Sequence, residues 1–317
     1  MIVALAGGVG GAKMAHGLSM VVAPQQLTII VNTADDFDHL GLRICPDLDT
    51  VIYTLAGIAN PATGWGIAGD TRNVLDAIAE RGGPNWFLLG DRDFATHIVR
   101  SAGLRNGRSM TEVTTDMSSS LGIEATVLPM SDDSVATMVS TPDGELTFQD
   151  YFVRRQQEDE VTGISFVGIE HAVAQPAALA AIRDAEIVLL NPSNPIVSIG
   201  PILAINGFAD ALRSTRATRI AVSPIIGGKA LKGPADRMLT SLGHESSALG
   251  VARIYQELID GLVVDSQDAA LAADIEALGI RTLATDSIMR NDEDRARLAS
   301  EIIDFAGSLT RQAVPAQ

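Results

Sequence analysis

The chain has 317 residues, 46% of them hydrophobic, with 23 Lys and Arg against 39 Asp and Glu for a net charge of −16. That hydrophobic fraction excludes a largely disordered chain. The single cysteine, Cys45, excludes an intrachain disulfide and a Cys-rich zinc site, and the acidic balance argues against broad binding to nucleic acid or an anionic membrane.

No apolar run reaches the ~18 residues of a membrane helix, and the opening MIVALAGGVGGAKM lacks the basic n-region of a signal peptide. A cytoplasmic protein is expected. From the start, IVALA at 2–6 reads as a buried strand. Residues 11–22 follow as a helix with Met14, Leu18 and Val21 on one face. LTIIVNT at 27–33 reads as a second strand. Asp70 or Thr71 is placed to cap a helix that turns Val74, Leu75 and Ile78 inward. WFLLG at 86–90 reads as a short strand, and 111–121 as a helix through Val113, Met117 and Leu121. VATMVS and ELTFQDYF around TPDG at 141–144 read as a hairpin, and GISFVGI at 163–169 as a further strand. PAALAAIRDA is helical; EIVLL at 186–190 and RIAVS at 219–223 are strands; Pro234 suits a first helical turn. GLVVD at 261–265 and IRTLA at 280–284 flank a helix, and Asn291 caps the last one. Such alternation predicts a Rossmann-like α/β fold: a mainly parallel sheet covered by helices on both faces, with hairpin and helical embellishments. No composition shift marks a linker, so 1–317 is read as one domain with insertions.

Glycine and polar clusters follow the carboxyl ends of the strands, where open parallel sheets bind ligands. GGVGGAK at 7–13 leads from a strand into a helix. Gly8, Gly10 and Gly11 let backbone amides approach a phosphate, and Lys13 can neutralise one. A tight strand–helix turn explains the same residues. The loop matches neither GxGxxG nor GxxxxGK[ST]. The stretch at 32–50 carries Asp35, Asp36, Asp38, Asp47 and Asp49, hard oxygen donors suited to magnesium, though each alone also suits a cap or turn. In GDRDFATH, Asp91 and Asp93 read as ligands or caps, and His97 as a packed helix residue. NPSNP offers Ser193 and Asn194 to a ligand. SPIIGGKALKGPA offers Gly227, Gly228, Lys229 and Lys232 to an anion. No serine or cysteine nucleophile signature is present, so the constellation fits metal-assisted phosphoryl chemistry.

AGGVGGAK, NTADDF, CPDLDTVIYTLAG, GWGIAGDT, WFLLGDRDFATH, NPSNPIVSIGPIL and SPIIGGKALKGPA, in that order from residue 2 to about 290, together resemble the 2-phospho-L-lactate transferase family of coenzyme F420 biosynthesis. The resemblance implies a Rossmann-like fold, a homodimer and a requirement for Mg2+. It implies transfer of a phospho-acid from a guanosine diphosphate-linked donor to the ribityl hydroxyl of 7,8-didemethyl-8-hydroxy-5-deazariboflavin (Fo), with release of GMP. By position, Gly8 to Lys13 would line the phosphate site. Asp49 would contact the acceptor beside magnesium, and Leu88 would border the acceptor pocket. Asn191 to Asn194 and Gly227 to Lys229 would complete the nucleotide side. Asp35, Asp36 and Asp49 are the expected metal ligands, with Asp49 or Asp36 aligning or deprotonating the hydroxyl. Ala34 stands where relatives often have glycine. Lactyl, enolpyruvyl and glyceryl donors all occur among relatives, and no residue chooses between them. The competing readings are a nucleotide-sugar-binding regulator of the gluconeogenesis-factor type and an NAD-dependent oxidoreductase.

Overall fold

The structure is a computed structural model and describes residues 1–313, with side chains to 309; positions 314–317 of the expected 1–317 domain lie outside the described residues. All five residues of the first strand, β1 (Ile2–Ala6), are buried, and their side chains alternate between two cores. Val3 and Leu5 enter one core, while Ile2, Ala4 and Ala6 enter a second on the opposite face. The small side of β1 admits α1 (Gly8–Val21), which starts three residues before the expected 11. β2 (Leu27–Val31) splits the same way, Ile30 to one core and Leu27, Ile29 and Val31 to the other.

The acidic stretch that follows is folded more fully than its sequence suggests. β3 (Phe37–His39) and β4 (Leu42–Ile44) pair antiparallel, and α2 (Pro46–Leu55) opens with Pro46 in its first turn. α3 (Asn73–Glu80) buries Leu75, whereas Val74, expected inward, is exposed. Its cap is also not the expected one. Asp91 accepts from Val74 N (2.9 Å) and Asn73 N (3.2 Å), while Asp70 accepts from Arg92 N (2.9 Å) and Asp93 N (3.0 Å) at the start of α4 (Asp91–Arg105). Each aspartate caps the other's helix. Gly90 is required between them, because a Cβ there would run into the Asp70 carboxylate. Residues 86–90 are irregular, not a strand. They carry Phe87 and Leu89 into a small core with Ile44, Leu75 and Phe94, which side-chain burial alone does not require to be extended.

α5 (Met110–Ser120) bears a full capping box between Ser109 and Glu112. β5 (Thr126–Pro129), unforeseen in the sequence, joins the sheet edge. β6 (Ala136–Thr141) and β7 (Gly144–Thr147) form the expected hairpin, but β7 is shorter than ELTFQDYF because 150–154 coil into a π-helical turn. β8 (Gly163–Val167) completes this three-stranded antiparallel sheet. Then come α6 (Pro176–Asp184), β9 (Ile187–Leu190), α7 (Ile199–Ala204), α8 (Phe208–Ser214), β10 (Thr218–Val222), the short pair β11 (Ile225–Ile226) and β12 (Lys229–Ala230), α9 (Ala235–Ser241) and α10 (Ala248–Tyr255). The chain closes with β13 (Gly261–Asp265), α11 (Ala272–Glu276), β14 (Arg281–Thr285) and α12 (Asp292–Ala313), where Asn291 Oδ1 caps Asp294 N at 2.8 Å.

The main sheet has seven strands in the order β14-β13-β10-β9-β1-β2-β5, all parallel. Chain progress reverses direction at β1: β2 and β5 extend one way, β9 onward the other. α1 packs between α2 and α12 on one face. The expected doubly wound α/β architecture is therefore observed, and its switch point lies between β1 and β9, where such sheets leave a crevice at the carboxyl edge.

Candidate functional site

The loops leaving β1 and β9 meet at that switch point. Ser193 Oγ donates to Gly7 O (2.8 Å) and accepts from Gly7 N (3.1 Å), and Asn191 Nδ2 donates to Gly11 O (2.9 Å). A Cβ at Gly11 would stand 2.6 Å from Ser193 Oγ, and one at Gly10 would strike the Pro192 carbonyl. Gly10 and Gly11 are thus demanded first by the close approach of α1 to the 191–195 loop. Gly8 instead takes φ +61°, a conformation that favours glycine. Its N–H is already held by Asp47 Oδ1 at 2.8 Å. A cavity of about 690 Å³ opens here, lined among others by Gly8, Gly10, Lys13, Asp35, Asp47, Asp49, Leu88, Ser193 and Asn194.

Of the carboxylates lining this cavity, Asp35 and Asp47 have no ion pair among the described residues. Asn32 Nδ2 reaches both Asp35 Oδ2 (3.2 Å) and Asp47 Oδ2 (3.0 Å), bridging them. Burial pushes the Asp47 carboxyl up to about 6, against the pull of Asn32 and the Gly8 amide. Burial, and then the charge of Asp47, holds Asp35 well above the usual carboxylate range, and Asp35 Oδ1 has no hydrogen-bond partner. Asp36 lies apart. It is buried, pushed up to about 7 chiefly by burial while Arg43 and the Cys45 thiol pull the other way, and it does not line the cavity.

Asp49, one helical position past Leu48, is a different case. Arg100, 1% exposed, grips both of its oxygens, Nη1 on Oδ2 at 3.1 Å and Nη2 on Oδ1. Arg100 Nη1 also lies 3.3 Å from His97 Nδ1. A guanidinium only donates, so the neutral imidazole compatible with this contact carries its proton on Nε2, which lies 3.3 Å from Asp93 Oδ1 without forming a hydrogen bond to it. Tyr53 OH donates to the same Asp93 oxygen at 2.6 Å. Asp49, Tyr53, Asp93 and His97 all face the cavity. The expected metal set Asp35, Asp36 and Asp49 is therefore not assembled: Asp36 is outside the cavity, and each Asp49 oxygen accepts from Arg100 while keeping one lone pair. Among the described residues no three His, Cys, Asp or Glu side chains converge on a metal position. Asp47 is the carboxylate that stands beside Asp35 across Asn32, and its sequence signal was present in PDLDT, two residues from Asp49.

The cations also sort differently from the sequence pattern. Lys13 and Lys232 line the cavity, whereas Gly228 and Lys229 line a separate cleft of about 430 Å³ with Glu158, Asp159 and Arg237. The β11–β12 pairing, with Gly227 and Gly228 both at positive φ, turns that segment away. Gly227 N is held by Asp268 (3.0 Å). Leu88 lines the cavity with 43% of its surface exposed. Beside it stand Phe87 and the stacked Phe148 and Phe152 (ring centroids 5.4 Å, 11° apart). Gln149 Nε2, bonded to Asp35 O at 3.1 Å, ties this aromatic wall to the carboxylates. The wall comes from two segments, 87–88 and 148–152, and only Leu88 was expected at the site from the sequence.

Residues 2–302 match the family described as 2-phospho-L-lactate transferase CofD. A phosphoenolpyruvate transferase of Kitasatospora aureofaciens is 44% identical over 96% of this chain and 97% of its own. A 2-phospho-L-lactate transferase of Methanosarcina mazei is 38% identical over 95% and 99%. Among solved structures, a upf0052 family protein from Bacillus halodurans superposes with a TM-score of 0.62 at 15% identity, covering 95% of this chain and 98% of that one, a likeness of fold.

Proposed function

The chain belongs to the 2-phospho-L-lactate transferase CofD family, and from that premise we propose that it moves a phospho-acid from a guanosine diphosphate-linked donor to the ribityl hydroxyl of Fo in coenzyme F420 biosynthesis. The observation that carries this reading is one cavity in which a glycine loop, two lysines, buried carboxylates and an aromatic wall meet. A nucleotide diphosphate needs the first three, and a flat deazaflavin ring fits the fourth. The hydroxyl oxygen bonds to the phosphorus distal to guanosine, the bond from that phosphorus to the GMP oxygen breaks, and the hydroxyl proton leaves to a base.

We assign magnesium to Asp35 and Asp47, since that ion is commonly held by one or two carboxylates with substrate phosphates completing the shell. When bound it would neutralise charge gathering on the transferring phosphate. Asp47 keeps the Gly8 amide oriented and Asn32 keeps the two carboxylates together. Asp49, locked by Arg100 beside His97, orients the attacking hydroxyl. Leu88 and the Phe148–Phe152 stack exclude water around the acceptor ring. The higher identity to phosphoenolpyruvate transferases favours the enolpyruvyl donor over the lactyl and glyceryl forms.

The test is a donor panel. Purified protein, magnesium, Fo and each of the three donors are incubated, and products are read by mass spectrometry. The expected outcome is GMP with a phosphodiester-bearing deazaflavin, fastest with the enolpyruvyl donor. No product with any donor overturns the reading.

A further inference from the structure

In a chain of net charge −16, two lysines that line the main cavity have no carboxylate partner among the described residues. Lys13 Nζ donates to Met289 O at 2.9 Å and Lys232 Nζ to Thr63 O at 2.8 Å. Each ammonium therefore spends one of its three donors on a neutral carbonyl. Burial first, then the charges of Arg295 and Lys232, lower the Lys13 pKa, so the two lysines are within electrostatic reach of each other. Like charges gathered without a counterion are unfavourable until an anion joins them.

The two lysines differ in how firmly they are held. Lys13 is on α1, which packs into the core. Lys232 stands in a loop between Gly228 and Gly233, both at positive φ, next to the largely exposed Leu231. Its acceptor Thr63 lies in a second loop, punctuated by Gly57, Gly64, Gly66 and Gly69, all at positive φ, and carrying Trp65 at 44% exposure. Thr63, Trp65, Leu231 and Lys232 all line the cavity. The Lys232–Thr63 bond is thus a latch between two glycine-rich segments at the cavity wall. A Cβ at Gly64 would stand 3.2 Å from Lys232 Nζ, so the segments already touch.

We propose that Lys232 is, with Lys13, a ligand for the donor's diphosphate, and that it takes this role by leaving the Thr63 carbonyl, so that nucleotide binding unlatches the 57–69 loop from the 227–234 loop. The proposal rests on the reading that the donor is a guanosine diphosphate derivative. Exchange is favourable because an anionic oxygen adds a charge–charge attraction to the ammonium that the neutral Thr63 carbonyl does not supply. The four-carbon lysine stem allows the swing.

The chain has two tryptophans, Trp65 and Trp86, so Trp86→Phe leaves Trp65 as a reporter on the first loop. GDP is titrated into this protein and into the same protein carrying Lys232→Met, Lys232→Arg or Lys13→Met. GDP is expected to change Trp65 emission. Lys232→Met should weaken GDP binding by about tenfold or more, the loss of one charge-assisted contact. It should also give ligand-free Trp65 emission close to the GDP-bound value. Lys13→Met should weaken GDP without altering the ligand-free emission, and Lys232→Arg should retain most of the affinity. Equal GDP affinity in Lys232→Met, or affinity loss with no change in Trp65 emission at any stage, overturns the proposal. Inorganic pyrophosphate separates this from the premise. If pyrophosphate binds through Lys232 and GDP does not bind, the guanosine reading fails and the diphosphate ligand stands; if neither binds, both fail.

Discussion

Asp47 and Asp49 stand two residues apart in the first turn of α2, both buried and both facing the same cavity, yet they live in opposite electrostatic settings. Asp47 meets only neutral donors, the Gly8 amide and Asn32, with a second carboxylate, Asp35, across the same amide. Asp49 meets Arg100, which satisfies both its oxygens, and His97 beyond. Successive positions on a helix turn by about 100°, so a step of two points the side chains to nearly opposite sides. The difference teaches that a carboxylate-rich sequence is not one site. One aspartate has its charge balanced by a buried arginine; the other has no basic partner among the described residues and is the one we propose for magnesium.

Removing Arg100 should produce the largest effect. Arg100→Met leaves Asp49 buried without its partner, a loss of about 3–5 kcal/mol, so the melting temperature should fall by many degrees. A shift of only a degree or two would mean that Asp49 reaches water, and the contrast with Asp47 would collapse.

Asp49→Asn sharpens the same point. A solvated turn aspartate would leave both melting temperature and turnover intact. Here turnover should drop by at least tenfold, toward the ~10²–10³ typical of one lost transition-state contact, and melting temperature should fall too, because Arg100 loses its counter-charge. Asp47→Asn should instead abolish magnesium-dependent turnover while leaving the metal-free melting temperature equal or higher. Paired melting and turnover curves separate the two; identical behaviour breaks the comparison.

The pH dependence should carry the same signature. Asp47 and Asp36 titrate in the folded protein near 6 and 7, above their ordinary value of 3.8. Between those limits the folded state binds more protons than the unfolded one, so stability falls as pH rises from about 4 through 7. Metal-free melting temperature should decline over that window. Magnesium should restore it at pH 8 and not at pH 5, where Asp47 is largely protonated. Asp47→Asn should flatten the lower half of the decline, and a wild-type curve that rises over the window overturns the assignment.

The smallest effect is expected at Asp91, an exposed carboxylate held near 2 first by Thr71 and then by the amides of α3. Asp91→Ala should lower the melting temperature slightly and leave turnover unchanged, since it serves only as the cap of a neighbouring helix.

Much of the fold was legible because buried parallel strands announce themselves as short apolar runs. IVALA, LTIIVNT, EIVLL, RIAVS, GLVVD and IRTLA all lie in the sheet, and glycine and polar loops follow several of their carboxyl ends. TVLP at β5 was missed because four residues between a helix and a bulky loop carry too little pattern. WFLLG was misread because an apolar run buried in a satellite core resembles a strand. The Asp70–Asp91 exchange of caps was invisible because a cap is read from the nearest residue in sequence, and here it comes from 18 residues away.

By itself the sequence determined the doubly wound parallel sheet and the set of loops at its carboxyl edge, because both follow from local periodicity and from where glycines permit a turn. Only the tertiary structure decided which charge meets which. Arg100 lies 51 residues from Asp49, and Thr63 lies 169 from Lys232. Lys229 was turned out of the cavity by a two-residue strand pair, while Lys232, three positions on, was left in it. The Coulomb energy of a pair depends on its separation and burial in space, and neither quantity is written in the spacing of residues along the chain.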